Sequence, residues 1–360
     1  MEKEAIQLLK EHKEVLDCHL GNFLQKKVKT FGNYDPTMSV LMKKIEDVVL
    51  AGGKRIRPTL LHYAYLASGK KDSAKIIDIE VAVELVHNYL LIHDDVFDRD
   101  DIRHGVKTIH KRYLESHRSK IKSTEDLVHF SNSMAISAGD VLVALANSLV
   151  LQTALKKETL IKITQLLQDT ILMAFVGEVK DIALSHSLNV SKNDILKVHR
   201  FKTGIYTFEN PIKMGLILSG EEDKEVYKKF SDYAIPLGIA FQLRDDILGL
   251  MGDEKKLGKP AGSDVKEGKK TLLTTKALEL GNKKQQAFLR SRLGKNNLTE
   301  KELNAFRQIV VETGSLDYSQ KKCTKLIQEA LDALQKINFK NKKSATFFNG
   351  IAEYIVSRKH

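Results

Sequence analysis

Proline is scarce in this chain, five residues in 360, with none between Pro58 and Pro211. Sheet-rich folds draw on Pro and Gly for their turns, so the scarcity favours a mostly helical protein. Cysteine is scarcer still. Cys18 and Cys323 supply neither a disulfide framework nor a CxxC metal pattern, and read as free thiols of a reducing compartment. No apolar run reaches the ~18 residues of a membrane span. The opening MEKEAIQLLKEHKEVLD alternates charged and apolar residues and lacks a signal-peptide core. The expectation is a soluble cytoplasmic protein that does not span a membrane.

What is present is charge and hydrophobicity in helical order. Lys and Arg outnumber Asp and Glu by 58 to 46, a formal +12. Such a surplus suits nucleic acid, an anionic surface or anionic small molecules. The basic residues are spread along the chain, without an aromatic-interleaved strip, a helix-turn-helix or a zinc pattern, so nucleic acid is not an expected partner. Apolar residues make up 42% of the chain, ample for a large core. Ile76, Ile79, Val83, Val86 and Leu90 recur at helical spacing, and Ile77, Val81, Leu85, Tyr89 and Ile92 fill most of the remaining face. A helix apolar nearly all round is a buried one. Ile235–Leu250 has the same character, with Pro236 expected to begin or kink it. Residues 137–155 and 160–184 read as further long apolar helices. The expected architecture is all-α, a single-domain helical bundle over residues 1–360 around a deep central cavity. The charged stretch 115–126 (ESHRSKIKSTED) is expected to be an exposed connection within it.

Two acidic clusters end those buried helices. Asp94, Asp95, Asp98, Asp100 and Asp101 fall within eight residues, and Asp245 and Asp246 form a second pair. Carboxylates this close raise each other's pKa unless a cation shares the site. Mg²⁺ suits them, because it binds through one or two carboxylates together with substrate phosphates. Asp94 and Asp98, at i and i+4, share a helix face, with Asp95 beside them. Gln242 stands one turn before the second pair.

Basic segments complete the pattern. In Gly52-Gly53-Lys54-Arg55-Ile56-Arg57-Pro58 two glycines expose backbone N–H groups, three cations follow, and Pro58 suits a first helical turn. A helix start of that kind is an anion site. Lys202-Thr203-Gly204 interrupts a helical stretch, Arg103-His104-Gly105 closes the first cluster, and Lys259 and Lys269 flank a glycine-rich loop after the second. His87 lies two turns before Asp94.

In this order GGKRIRP, LIHDDVFDRDDIRHG, FKTG and FQLRDDILGL…GKPAGSDVKEGKKT resemble the trans-isoprenyl (polyprenyl) diphosphate synthases. The likeness runs from about residue 50 to 273 and includes Ala138-Gly139-Asp140 and Gly177-Glu178-Val179-Lys180-Asp181. It implies an all-helical, dimeric enzyme that condenses isopentenyl diphosphate with an allylic diphosphate. It also implies Mg²⁺, about three ions per site, held by Asp94, Asp98 and Asp245 with Asp95 and Asp246 in support. Lys202, Lys259, Arg103 and Lys269 are then expected to hold the allylic diphosphate. Gly53, Lys54, Arg57, His87 and His104 are expected at isopentenyl diphosphate, and Thr203 and Gln242 near the allylic cation.

Two positions depart from the family pattern: His104 stands where most members carry Arg, and Gly249 where a third aspartate is usual. Tyr89 and Leu90, five and four residues ahead of Asp94, correspond to chain-length positions. A single aromatic there resembles the synthases that stop at C20 (geranylgeranyl), with C15 or longer products as alternatives. A terpene cyclase has no need of the GGKRIRP loop, and a non-catalytic partner subunit commonly loses one aspartate pair, whereas both pairs are present.

Overall fold

The computed structural model describes residues 1–71, 74–187, 189–252, 262–295 and 297–357. Among these the chain is helical apart from one two-strand hairpin. It packs into two compact units. The first comprises residues 7–62 and 71–164, and the second Met1–Ile6, Tyr63–Lys70 and Gln165–His360.

The first unit carries most of α1 (Glu2–Gly32), α2 (Pro36–Val49), the start of α3 (Ile56–Ala67), α4 (Ala74–Phe97), the hairpin β1 (Ile102–Arg103) and β2 (Val106–Lys107), α5 (Ile109–His117) and α6 (Thr124–Leu151). The helix starts are legible in local chemistry. Asp35 accepts a hydrogen bond from the Thr37 N–H with Pro36 in the first helical position, and Ser123 caps α6 by accepting from the Asp126 N–H. α4 packs along α6, and Gly139 allows the approach, because a Cβ there would collide with the His93 ring.

α4 is not apolar all round. Glu80, Glu84 and Asn88 are at most 5% exposed and follow one another at i, i+4 and i+8, a buried polar stripe that hydrophobic counting hides. Buried polar groups need partners. Asn88 donates to the Glu84 carbonyl and carboxylate, and Glu84 accepts from Arg55 at 2.8 Å. The charged stretch 115–126 is largely exposed. Helices α5 and α6 enter it from both ends, leaving 118–123 as the connection.

The second unit holds most of α7 (Lys157–Ser185), then α8 (Lys192–His199), a π-helix over Arg200–Glu209, α9 (Asn210–Ser219), α10 (Lys224–Met251) and helices running to Ser357. α10 starts eleven residues before Ile235, capped by Asp223, so Pro236 lies inside the helix rather than at its start. The Lys202-Thr203-Gly204 segment does not interrupt the helical path. It sits in the π-helix, which joins α8 to α9 without a break. Glycines bring these backbones together. A Cβ on Gly238 would lie 2.5 Å from the Gly204 Cα, and one on Gly177 would lie 2.7 Å from the Lys202 backbone nitrogen. Further along, Phe230, Tyr233, Phe347 and Phe348 form an aromatic core, in which the Tyr233 hydroxyl donates to the Phe348 carbonyl at 2.8 Å.

Two helices, α6 and α7, are long and apolar enough to cross a membrane, with mean hydropathies of 1.8 and 1.3 over an 18-residue window. Runs interrupted by Ser, Asn and Gln conceal this in the sequence. α6 buries its Leu127, Ala135, Ala138, Leu142 and Leu145 side within the first unit.

Candidate active site

In the first unit Asp94, Asp95 and Asp98 close the last turns of α4. The Asp98 N–H bonds the Asp94 carbonyl at 2.8 Å, so those two carboxylates lie one turn apart on one face. The negative end of the helix dipole adds to their repulsion. The chain then leaves the helix through Arg99, at φ 57°, and the hairpin returns Arg103 to the cluster. Its guanidinium contacts Asp95, and lies 3.2 Å from both Asp94 and Asp100. Asp100 therefore joins the site, whereas Asp101 faces outward to Lys111 at 2.7 Å.

One guanidinium does not satisfy this much acid. Asp95 is 1% exposed, and its Oδ2 makes no hydrogen bond. Burial pushes the Asp95 carboxyl up to about 7, against the pull of Arg103, and Asp94 and Asp100 push the same way. The unsatisfied Asp95 Oδ2 lies in an oxygen-only cluster, which is the donor set of a hard divalent cation.

Cations gather a short distance away. The hairpin turn is His104-Gly105, both at positive φ (51° and 78°), the type I′ geometry of tight hairpins. It packs against the glycine loop: a Cβ on Gly52 would sit 3.1 Å from the His104 Cβ. Gly53, at φ +107°, turns the loop there. Of the three cations in that loop, Arg55 turns inward. It is 4% exposed and binds Asp17, Glu84 and the Val49 carbonyl. Of the expected anion-binding loop, Arg55 is thus committed to these partners. His87 marks the loop's field. Burial, and then Arg57, Arg55, Arg103 and His104, hold its pKa well below the usual imidazole value, so it is neutral at pH 7. Tyr89 is buried, edge-on to the His93 ring at 4.8 Å, and Leu90 is half-buried.

The second unit carries the other acidic pair, and the structure divides it. Asp246 is 7% exposed. Its Oδ1 accepts from the Gln242 amide at 3.1 Å, and His199 Nε2 stands 3.2 Å from its Oδ2. Thr203 in turn donates to Gln242 Oε1 at 2.7 Å. Asp245 is half-buried beside it. Lys202 pairs with Glu178 at 2.5 Å and Asp181 at 3.4 Å, and Lys269 with Glu267 at 2.9 Å. Lys259 lies outside the described residues.

The sequence reading missed Asp264. A Cβ placed on Gly249 would meet the Asp264 Oδ2 at 3.4 Å, so this carboxylate lies where the second motif lacks its third acid. Burial pushes the Asp264 carboxyl up to about 6, and Asp246, Glu267 and Asp181 add to it against Lys269. The available signal was Gly262-Ser263-Asp264, in which Gly262 at φ +78° starts the short helix Ser263–Glu267.

An all-helical chain that pairs oxygen-only acid clusters with Lys- and Arg-rich anion sites belongs to the class of enzymes that handle metal-bound diphosphates. Residues 38–310 match the polyprenyl synthetase family profile. A geranylgeranyl diphosphate synthase of Sulfolobus acidocaldarius is 32% identical, over 86% of this chain and 88% of its own length. A geranylfarnesyl diphosphate synthase of Aeropyrum pernix is 30% identical, over 86% and 92%. Among solved structures, a geranylgeranyl pyrophosphate synthase of Corynebacterium glutamicum complexed with isoprenyl diphosphate and magnesium superposes with a TM-score of 0.90. It is 28% identical, over 96% of this chain and 98% of that one. The chain belongs to the polyprenyl synthetase family, as a prenyltransferase of the short-chain trans class.

Proposed function

We propose that the chain condenses isopentenyl diphosphate with an allylic diphosphate, adding C5 units up to a C20 product. The observation that carries this reading is the first-unit site. The Asp95 carboxyl, pushed up to about 7 by burial, lies beside Arg103, and Arg57, Arg55, Arg103 and His104 add to burial in holding His87 below the usual imidazole value. A diphosphate bound with a divalent cation suits both the acids and the cations.

Mg²⁺ is the cation assigned, about three ions per site, to Asp94, Asp95 and Asp98 and to Asp245 with Asp264. When bound it acts as a Lewis acid toward the departing diphosphate. Asp246 is assigned a supporting role beside Asp245: its Oδ1 accepts from Gln242, while its buried Oδ2, 3.2 Å from His199 Nε2, makes no hydrogen bond. Thr203 and Gln242, linked by hydrogen bonds to each other and to Asp246, are assigned to the allylic cation. Lys202, Lys269, Arg103 and Lys259 are assigned to the allylic diphosphate. The first two exchange their present carboxylate partners for phosphate oxygens, a charge-assisted contact of equal kind. Lys54, Arg57, His104 and the Gly53 N–H are assigned to isopentenyl diphosphate, with His87 as a neutral hydrogen-bonding partner. Fixed cations aimed at a leaving group lower the barrier to C–O ionisation. Attack by the isopentenyl double bond on the allylic cation then forms the new C–C bond, and a proton leaves, with the departing diphosphate its nearest base.

The C20 end point is supported by Tyr89 in α4 and by the geranylgeranyl synthases among the relatives; the Aeropyrum pernix relative names one unit more. A cytoplasmic homodimer is the assembly proposed. α7 exposes Leu172, Val176 and Val179 at i, i+4 and i+7, a stripe of the kind a second copy covers. The test is release of inorganic diphosphate from isopentenyl diphosphate and a C15 allylic primer. Release should require Mg²⁺ and fall about 10²–10³-fold in kcat in Asp94→Asn, the cost of losing one group that stabilises transition-state charge. Equal release by wild type and variant overturns the assignment.

A further inference from the structure

Three residues play no part in this chemistry. His12 of α1, His62 of α3 and Glu80 of α4 are 6%, 7% and 0% exposed, and one ligand atom from each falls within 4.8 Å of the others. All three belong to the first unit. His62 Nδ1 lies 2.9 Å from Glu80 Oε1, and His12 Nε2 lies 3.1 Å from Glu80 Oε2. The second contact lies in ion-pair range but is poorly aligned, so that His12 Nε2 and Glu80 Oε2, both buried, lack a well-formed hydrogen bond. Against its burial, both imidazoles pull the Glu80 carboxyl below the usual carboxylate range. The imidazole rings overlap at 4.0 Å between centroids, tilted by 37°.

A buried carboxylate oxygen and a buried imidazole nitrogen that face each other without a well-aligned hydrogen bond are each left under-satisfied. A cation between them satisfies both. Two imidazole nitrogens and one carboxylate oxygen are the ligand set of Zn²⁺ and neighbouring first-row ions, whereas Mg²⁺ prefers oxygen alone. Tetrahedral zinc with bonds of ~2.0–2.1 Å keeps its ligand atoms about 3.3 Å apart. The two contacts, made to the two oxygens of Glu80, are 2.9 and 3.1 Å, and one ligand atom from each residue lies within 4.8 Å of the others, so side-chain torsions supply the remaining adjustment.

We propose that His12, His62 and Glu80 form a structural site for a divalent first-row transition ion such as Zn²⁺, tying α1, α3 and α4 together within the first unit. The ion is separate from those at the aspartates and takes no part in the condensation. An ion that binds only the folded chain raises its stability, and the site fixes the helix whose far end carries Asp94 and Asp98.

The test uses the full chain, stripped with a chelator and titrated with Co²⁺ in excess Mg²⁺, with Zn²⁺ as competitor. The expected result is one equivalent of Co²⁺ with the intense visible absorption of a low-coordinate site, displaced by Zn²⁺. Zn²⁺ should also raise the Tm by a few degrees. The signal should persist in the Asp94→Asn/Asp245→Asn double variant and vanish in His62→Gln and in Glu80→Gln, with helical content checked by circular dichroism. If those variants do not fold, X-ray absorption of the Co²⁺-loaded wild type decides, through imidazole scattering at the metal. Absence of the Co²⁺ band, its loss with Mg²⁺ or in the aspartate double variant, or an oxygen-only shell overturns the proposal.

Discussion

Asp264 and Asp95 are the residues where burial and charge disagree most. Both carboxyls are pushed upward, to about 6 and about 7, chiefly because burial penalises the charged form by more than Lys269 or Arg103 compensates, with the neighbouring acids adding to it. Ligands in such positions are sensitive to small changes of charge. Asp264→Asn, which keeps the shape and removes the charge, should raise the Mg²⁺ concentration for half-maximal activity about tenfold, the scale seen when a group supporting a metal site is lost. Its Tm should change little, since no salt bridge to Asp264 is found among the described residues. An unchanged Mg²⁺ requirement would remove Asp264 from the metal site. This residue also shows where sequence reading stops: the Asp pairs announce themselves by crowding, whereas Asp264 is joined to them only by the turn at Gly262. Arg55 is the reverse case. Its place in a glycine-rich basic loop signals an anion site, yet φ 52° turns it into the core, toward Asp17 and Glu84.

Among the elements, α8 and the π-helix after it set Lys202 and Thr203. α8 starts with a capping box in which Ser191 and Asp194 exchange hydrogen bonds. Lys180 and Ser191 hold the Asp194 carboxyl at about 2. A depressed carboxylate stabilises the folded state above its unfolded pKa, near 4, and that contribution fades as pH falls toward 2. The Tm of the wild type should therefore drop more between those pH values than that of Asp194→Asn. Ser191→Ala should cost about 1 kcal/mol at neutral pH, the usual value of a lost N-cap, measured by urea unfolding. α4 offers a functional counterpart. Tyr89→Ala, chosen because the ring is buried one turn from His93, should shift the product beyond C20, while Tyr89→Phe should not. An identical product distribution in the two variants would place the length determinant elsewhere. The π-helix itself was not legible. FKTG reads as an interruption because Gly204 breaks the helical pattern, but that glycine instead lets α10 approach at Gly238.

For the whole molecule, the all-helical class follows from few prolines and pervasive 3.6-residue periodicity, and the family from the order of its motifs. Helix starts were placed late where hydrophobic runs alone set the bounds: residues 137 and 235 were read as starts, whereas α6 begins at Thr124 behind Ser123 and α10 at Lys224 behind Asp223, with Pro236 inside it. The buried stripe Glu80–Glu84–Asn88 was hidden because apolar counting treats a partnered polar residue as a gap. The partners, His12, His62 and Arg55, lie far away in sequence. The measurement that bears most directly on the function is product length by mass spectrometry, after incubating the purified chain with isopentenyl diphosphate and a C15 allylic primer, with and without Mg²⁺. The expected result is a C20 diphosphate formed only with the metal. No elongation of the primer, with Mg²⁺ present and the chain folded, would contradict it.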